Sequence, residues 1–152
     1  MANLEITFRV WLILTYIYSM KARKIILFDG ICNLCNQSVQ FVIEHDSKNQ
    51  FHFASLQSEF GQNFLKEHHL DTENFNSMIY IENEKFYTKS SAPLKIMKNL
   101  DGIISWSSFF IIVPKPIRDV VYSFIAKNRY RWFGKNESCW LPTPELKAKF
   151  LE

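Results

Sequence analysis

The sequence predicts an α/β fold built on a parallel βαβ unit, and three observations predict it. Ile25-Ile26-Leu27-Phe28 is a continuous apolar run, the mark of a strand covered on both faces. After Asp29-Gly30 breaks that run, apolar residues fall at Cys35, Val39, Val42 and Ile43, the spacing of one helical face, ending near His45. Phe51, Phe53 and Ser55 then alternate with His52 and Ala54, as a second strand would. Strand, helix and strand within about thirty-five residues make a right-handed βαβ crossover, the usual seed of a parallel sheet.

The remaining elements follow in order. Glu59 to Leu70 reads as a helix carrying Phe60, Phe64 and Leu65, with a polar end at His68-His69. Met78-Ile79-Tyr80-Ile81 and Lys85-Phe86-Tyr87 flank Glu82-Asn83-Glu84, a hairpin of short antiparallel strands. Ser90-Ser91 offers a cap to the next helix, with Pro93 in its first turn, where a missing N–H does no harm. Leu94, Ile96, Met97 and Leu100 form its apolar side, and Asp101-Gly102 stops it. Pro114 and Pro116 open a final long helix with an apolar stripe of Ile117, Val120, Val121, Phe124 and Ile125, and Gly134 lies beyond its end. The order is a thioredoxin-like βαβ–α–ββ–α core with a C-terminal helical extension.

At 152 residues the chain suits one domain with a real core, read here as residues 20–152. Its composition, 47% hydrophobic and 22% charged, excludes disorder, and the 16% aromatic share implies a tight core or a surface for apolar partners. A net charge of +3 licenses no nucleic-acid partner. Residues 1–19 are a separate matter. Val10 to Met20 is charge-free but too short for a stable membrane span, which needs about twenty apolar residues. It lacks a signal-peptide cleavage site. An extra packed element, an interfacial anchor, or translated sequence upstream of a start at Met20 remain. The last predicts that deleting residues 1–19 leaves a folded, redox-competent protein.

Three cysteines, a close pair and a distant single, argue against a framework of structural disulfides and point to a reduced compartment, the cytoplasm. The chemistry lies in Cys32-Asn33-Leu34-Cys35, a C-x-x-C that follows a buried strand and opens a helix. Cys32 falls in the first turn, where unpaired backbone N–H groups and the helix dipole favour a thiolate. Cys35 lies one turn along, within disulfide reach. Cys32 attacks a substrate disulfide and Cys35 resolves the mixed disulfide, so Cys32 alkylates faster than Cys35. Asp29 offers a base for the Cys35 proton, although its charge opposes a nearby thiolate. The structural alternative is an Asp that holds the Gly30 turn.

Other readings of these residues exist. A zinc site would draw on Cys139 and on His45, His52, His68 and His69, none of which forms a second pair at ligand spacing. A buried inert pair is ordinary cysteine behaviour. Ile25 to Gly30 also resembles the first motif of haloacid-dehalogenase-like phosphatases, but the second Asp of that motif is Ile31 here.

Phe28-Asp29-Gly30-Ile31-Cys32-Asn33-Leu34-Cys35-Asn36 resembles the signature of the DCC family of predicted thiol-disulfide oxidoreductases. Pro114-Lys115-Pro116-Ile117-Arg118-Asp119 with Tyr122, then Asn128 to Gly134 and Cys139, resemble that family's C-terminal signature, and Ser90-Ser91-Ala92 also fits. The likeness spans roughly Lys24 to Pro142. It implies a thioredoxin-like fold and puts Asp29, Cys32 and Cys35 on the motif positions. Ordinary thioredoxins carry a cis-proline before the third strand, whereas Phe75-Asn76-Ser77 stand there in this chain.

Arg118, Tyr122 and Arg129 share one stripe of the last helix, separate from the apolar one. They are candidates to bind substrate or to bring positive charge over Asp29 and Cys32. The alternative is a solvated face with ion pairs such as those of Asp119. The expected function is thiol-disulfide exchange at Cys32 and Cys35, with no cofactor. Its partners are a disulfide-bearing protein or small thiol and an unidentified electron donor. A non-catalytic thioredoxin-like binding module with structural cysteines is the alternative.

Overall fold

A computed structural model describes residues 23–73, 75–137 and 142–151. The readings of residues 1–19 and of Cys139 lie outside these. Four strands form one sheet in the order β2-β1-β3-β4: β1 Lys24–Phe28, β2 Phe51–Ser55, β3 Ile79–Glu82 and β4 Lys85–Thr88. β1 runs parallel to β2 and antiparallel to β3, and β3 pairs antiparallel with β4. Helix α1 (Asn33–Glu44) connects the parallel pair, α2 (Glu59–Glu67) follows β2, and α3 (Ser91–Lys98) follows the hairpin. A 3-10 segment, Gly102–Ile112, leads into the long helix α4 (Lys115–Phe133). This is the thioredoxin-like mixed α/β arrangement.

The apolar run of β1 is covered on both faces, as its composition implies. Ile26 and Phe28 join Val39, Val42 and Ile96 beneath α1 and α3. Ile25 and Leu27 join Ala54, Leu65 and Ile79 beneath α2. Gly61 allows α2 to press on the end of β2, since a Cβ there would stand 2.2 Å from the Ser55 carbonyl oxygen. Asn83 and Glu84 both take positive φ (51° and 63°), the geometry of the two-residue hairpin turn that matches strand twist. Phe150 stacks on Phe53 at 5.5 Å between ring centroids, and Leu151 N–H donates to the Phe53 carbonyl at 2.8 Å, so the C-terminal segment lies along the β2 edge.

Three features depart from expectation. Helix α2 ends at Glu67 rather than near Leu70, because His69 turns left-handed (φ 54°) and Leu70 N–H folds back onto the Leu65 carbonyl at 2.8 Å. Ser90 stands at the cap position of α3, but its hydroxyl donates to Asp119 of α4 at 2.5 Å instead of capping the helix. The apolar stripe of α4 faces solvent, with Val120, Phe124 and Ile117 all mostly exposed. The polar stripe of Arg118, Tyr122 and Arg129 turns toward the protein.

Candidate active site

The site is built where β1 hands over to α1. Asp29 Oδ1 accepts the Ile31 N–H at 3.2 Å, and the Cys32 N–H donates to the Asp29 carbonyl at 3.2 Å. Gln57, just after β2, donates from Nε2 to Asp29 Oδ1 at 2.9 Å and accepts the Gly30 N–H at 3.0 Å. Asn36 of α1 donates to the Gly30 carbonyl at 3.0 Å. These bonds fix the turn from three elements, so Cys32 arrives at the N-cap of α1 with extended backbone (φ −86°, ψ 120°).

At that position the Cys32 Sγ accepts the Cys35 N–H at 3.4 Å, one of the orphan donors of the first turn. Arg129 reaches in from α4, 3% exposed, and its Nη1 lies 3.8 Å from the Cys35 Sγ. The Cys32 thiol is pulled down to about 6. Its hydrogen bond with the Cys35 side chain is the largest cause; burial opposes it, while the Cys35 N–H and the Arg129 charge reinforce it. Cys35 moves the opposite way, raised first by that same hydrogen bond and then by burial. One sulfur therefore holds the negative charge and the other keeps the proton.

Asp29 supports this arrangement through Arg129. Its Oδ2 accepts from Arg129 Nη2 at 2.6 Å, and the Tyr130 hydroxyl donates to the same oxygen. Arg129 Nη2 also lies 3.0 Å from the Tyr130 oxygen, and its Nη1 donates to the Asn76 carbonyl at 3.5 Å. Burial works against the guanidinium charge, but the Cys35, Tyr130 and Asp29 groups outweigh it and raise its pKa. Burial and the Asp29 contact likewise lift Tyr130 to about 12. Asp29 holds the Gly30 turn as its structural reading expected, and it also orients the arginine beside the sulfurs.

Tyr122 accepts the Met78 N–H at 3.0 Å, so Tyr122 and Arg129 together hold the 76–78 segment against the cysteines. A cleft of about 120 Å³ opens there, lined by Leu34, Cys35, Met78, Tyr122, Ile125 and Arg129. Arg118 is not brought to this cleft. Its Nε donates to the Val113 carbonyl at 2.8 Å, and it lines the adjoining groove. Asp119 pairs with Lys115 at 2.8 Å.

Cys32 is fully enclosed, at 0% exposure against 8% for Cys35, which reverses the expected order of access. The cover is the chain just after α4. Lys135 forms an antiparallel bridge with Cys32, Asn136 N–H donates to the Ile31 carbonyl at 2.9 Å, and Asn33 Nδ2 donates to the Phe133 carbonyl at 2.9 Å. Gly134 makes the turn possible with φ 80°. Among the described residues no three potential metal ligands come together. Sequence reasoning missed Gln57, Asn33 and the Asp29 partner Tyr130. Tyr130 and Asn33 had a signal, their places within the C-terminal signature and the cysteine signature; Gln57 had none.

Comparison with known proteins agrees with this geometry. A family model described as DCC1-like thiol-disulfide oxidoreductase matches residues 26–135, a span that holds both the cysteine turn and Arg129. The chain is 52% identical over 130 residues to the uncharacterized protein YuxK of Bacillus subtilis (strain 168), covering 84% of this chain and 93% of that one. It is 42% identical over 120 residues to the chloroplastic DCC family protein At1g52590 of Arabidopsis thaliana, covering 78% and 70% respectively. No solved structure matches. With the matched span running from β1 to the segment that covers Cys32, the chain belongs to the DCC1-like thiol-disulfide oxidoreductase family.

Proposed function

We propose that the protein is an enzyme exchanging a Cys32–Cys35 dithiol or disulfide with a protein or small-thiol substrate. The observation that carries this reading is the placement of two sulfurs one helical turn apart, with Cys32 at the N-cap accepting the Cys35 N–H at 3.4 Å and Cys35 3.8 Å from the buried Arg129 guanidinium. This arrangement lowers the pKa of the Cys32 thiol and raises that of Cys35. In the reducing direction the Cys32 thiolate attacks one sulfur of a substrate disulfide. A Cys32–substrate disulfide forms, and the other substrate sulfur leaves as a thiolate. Cys35 then loses its proton and attacks the Cys32 sulfur, closing the Cys32–Cys35 disulfide and releasing the second substrate thiol. Starting from the Cys32 thiolate, the protein gives the substrate two electrons and the Cys35 proton, the second substrate thiolate takes its proton from water, and a separate dithiol donor restores the protein.

Arg129 stabilises both thiolates in turn, and Asp29 with Tyr130 keeps it in place. Tyr122 positions the 76–78 backbone along the cleft where a substrate chain would lie. Attack by Cys32 needs the Phe133–Asn136 segment to lift. We read the setting as cytoplasmic from the odd cysteine count; among the described residues no helix is long and apolar enough to cross a membrane.

The test is a redox titration of wild type, Cys32→Ser and Cys35→Ser, read by mass after thiol labelling. Wild type should pass between labelled dithiol and unlabelled disulfide, and Cys35→Ser should accumulate mixed disulfides. If both thiols stay unlabelled in the folded reduced protein and no disulfide forms on oxidation, the cysteines are structural and the proposal is wrong.

A further inference from the structure

Among the described residues, all the large exposed apolar side chains except Phe41 and Phe86 gather on one continuous stretch. From Gly102 to Ile112 the chain carries no charged residue, and Ile103, Trp106, Phe109, Phe110 and Ile112 stand in solvent, Trp106 at 81%. Helix α4 adds Ile117, Val120, Val121, Phe124 and Trp132. A groove of about 440 Å³ joins the two, running between Phe110, Val113, Ile117 and Val121. Aromatic side chains carry about 150–250 Å² each, so this face presents on the order of 1,000 Å² of apolar surface. The largest patch on a monomer is usually about 300–600 Å².

Several polar groups on this face are bonded to its own backbone. The Ser105 and Ser107 hydroxyls donate to the Gly102 and Ile104 carbonyls, Asn128 donates to the Phe124 carbonyl, and Arg118 Nε donates to the Val113 carbonyl. A folded partner of matching area would form roughly one hydrogen bond per 100–200 Å², and few free groups remain here to supply them. What the face does offer is positive charge. Residues 102–136 hold six Lys or Arg and one acid, Asp119. Arg129 is buried against Asp29 and Lys115 pairs with Asp119, while Lys127, Arg131 and Lys135 are exposed. Asp119 is turned inward to Ser90 and Lys115. Lys127 and Arg131 sit at helical spacing from Phe124, exposed and without a carboxylate partner among the described residues.

Apolar side chains that include Trp106 and Trp132, with cations beside them, fit the boundary of an anionic bilayer, where the rings enter the acyl edge and the cations meet phosphates. We propose that the Gly102–Ile112 segment and the outer side of α4 dock this protein peripherally on an anionic lipid bilayer. No helix among the described residues is long and apolar enough to span it, and the contact proposed is with the bilayer surface. Tyr122 and Ile125 line both the apolar groove and the cleft at Cys35, so docking holds that cleft close to the lipid headgroups. This inference stands apart from the thiol chemistry and is read by a different measurement.

The test is sedimentation of the full chain with vesicles of phosphatidylcholine alone or with roughly 30% phosphatidylglycerol, at low and high salt. The full chain should partition onto the anionic vesicles at least about tenfold more strongly, and high salt should weaken this. Lys127→Glu/Arg131→Glu should lose roughly tenfold or more of that binding. Trp106→Ser/Phe109→Ser should lose binding while keeping wild-type thiol labelling, which shows that it is folded. The proposal fails if wild type does not partition. It also fails if both variants partition like wild type, which would assign binding to the Val10–Met20 run. A third refutation is a wild-type dimer in solution that Trp106→Ser/Phe109→Ser converts to monomer without altering vesicle binding, because the face would then belong to a second copy.

Discussion

Replacing Asn33 with alanine tests whether the segment after α4 controls access to Cys32. Asn33 Nδ2 donates to the Phe133 carbonyl at 2.9 Å, and the backbone adds the Asn136–Ile31 bond at 2.9 Å and a long Asn33–Gly134 contact at 3.5 Å. The side-chain bond is exposed, so its net worth is about 0.5–1.5 kcal/mol. Its loss should raise the population of the lifted segment roughly 2- to 12-fold. When lifting and closing are fast, labelling follows that population, so Cys32 should label faster by the same factor. The helix itself should not suffer, since Asn33 opens its first turn and alanine is the better helix former. The assay is iodoacetamide labelling at pH 8, with the label located at Cys32 by peptide mass spectrometry. At that pH a thiol pulled down to about 6 is already almost all thiolate, so a change in rate reports access and not ionisation. A Cys32 rate equal to wild type in a folded Asn33→Ala protein would refute the idea that this segment is the cover that matters.

Three further outcomes follow from the same geometry. The labelling rate of Cys32 should rise with pH to a midpoint near 6 in wild type, and Cys35→Ala should move that midpoint upward while leaving it below the 9 of a free thiol. The upward direction follows because the lost Cys35 hydrogen bond favours the thiolate, while the backbone N–H and Arg129 remain. A midpoint unchanged in Cys35→Ala would show that the dipole and arginine suffice. Arg129→Met should destabilise the fold by roughly 3–5 kcal/mol in urea unfolding, because it leaves the Asp29 carboxylate buried without its cation, and Asp29→Asn/Arg129→Met should recover part of that loss. Equal stabilities of the single and double variants would deny the pairing. Gly61→Ala should cost about 3 kcal/mol, the upper end for overpacking, because the atoms its Cβ would meet belong to the Ser55 and Leu56 backbone and cannot rotate away. A loss below about 1 kcal/mol would mean that α2 shifts freely on the sheet.

The sheet and the cysteine turn were legible because their determinants are local. The four-residue apolar run of β1, the alternation of β2 and the Asn83-Glu84 break each write their structure into neighbouring positions. The C-x-x-C spacing likewise states that two sulfurs share a helical turn. Arg129 was among the residues expected to bring positive charge over Asp29, and the two pair at 2.6 Å. What escaped was Tyr130, whose bond to Asp29 closes a loop of about a hundred residues and leaves no periodic trace. Amphipathic spacing also tells which stripe of α4 is apolar without telling which stripe faces in. Here the inward side belongs to Arg129 and Tyr122 because they satisfy Asp29, the Asn76 carbonyl and the Met78 N–H. The Gly102–Ile112 segment is apolar on all sides, so neither a helical nor a strand period was there to read.

The contact of Phe150 and Leu151 with β2 has a consequence for how the chain behaves in company. β2 borders the sheet, and a bare border of alternating aromatic residues invites a strand from another molecule to add itself and extend into a fibril. With Leu151 bonded to Phe53 and Phe150 laid on its ring, that invitation is answered from within the same chain. Clipping the final residues should therefore register first as turbidity on concentration, before any change in thiol reactivity.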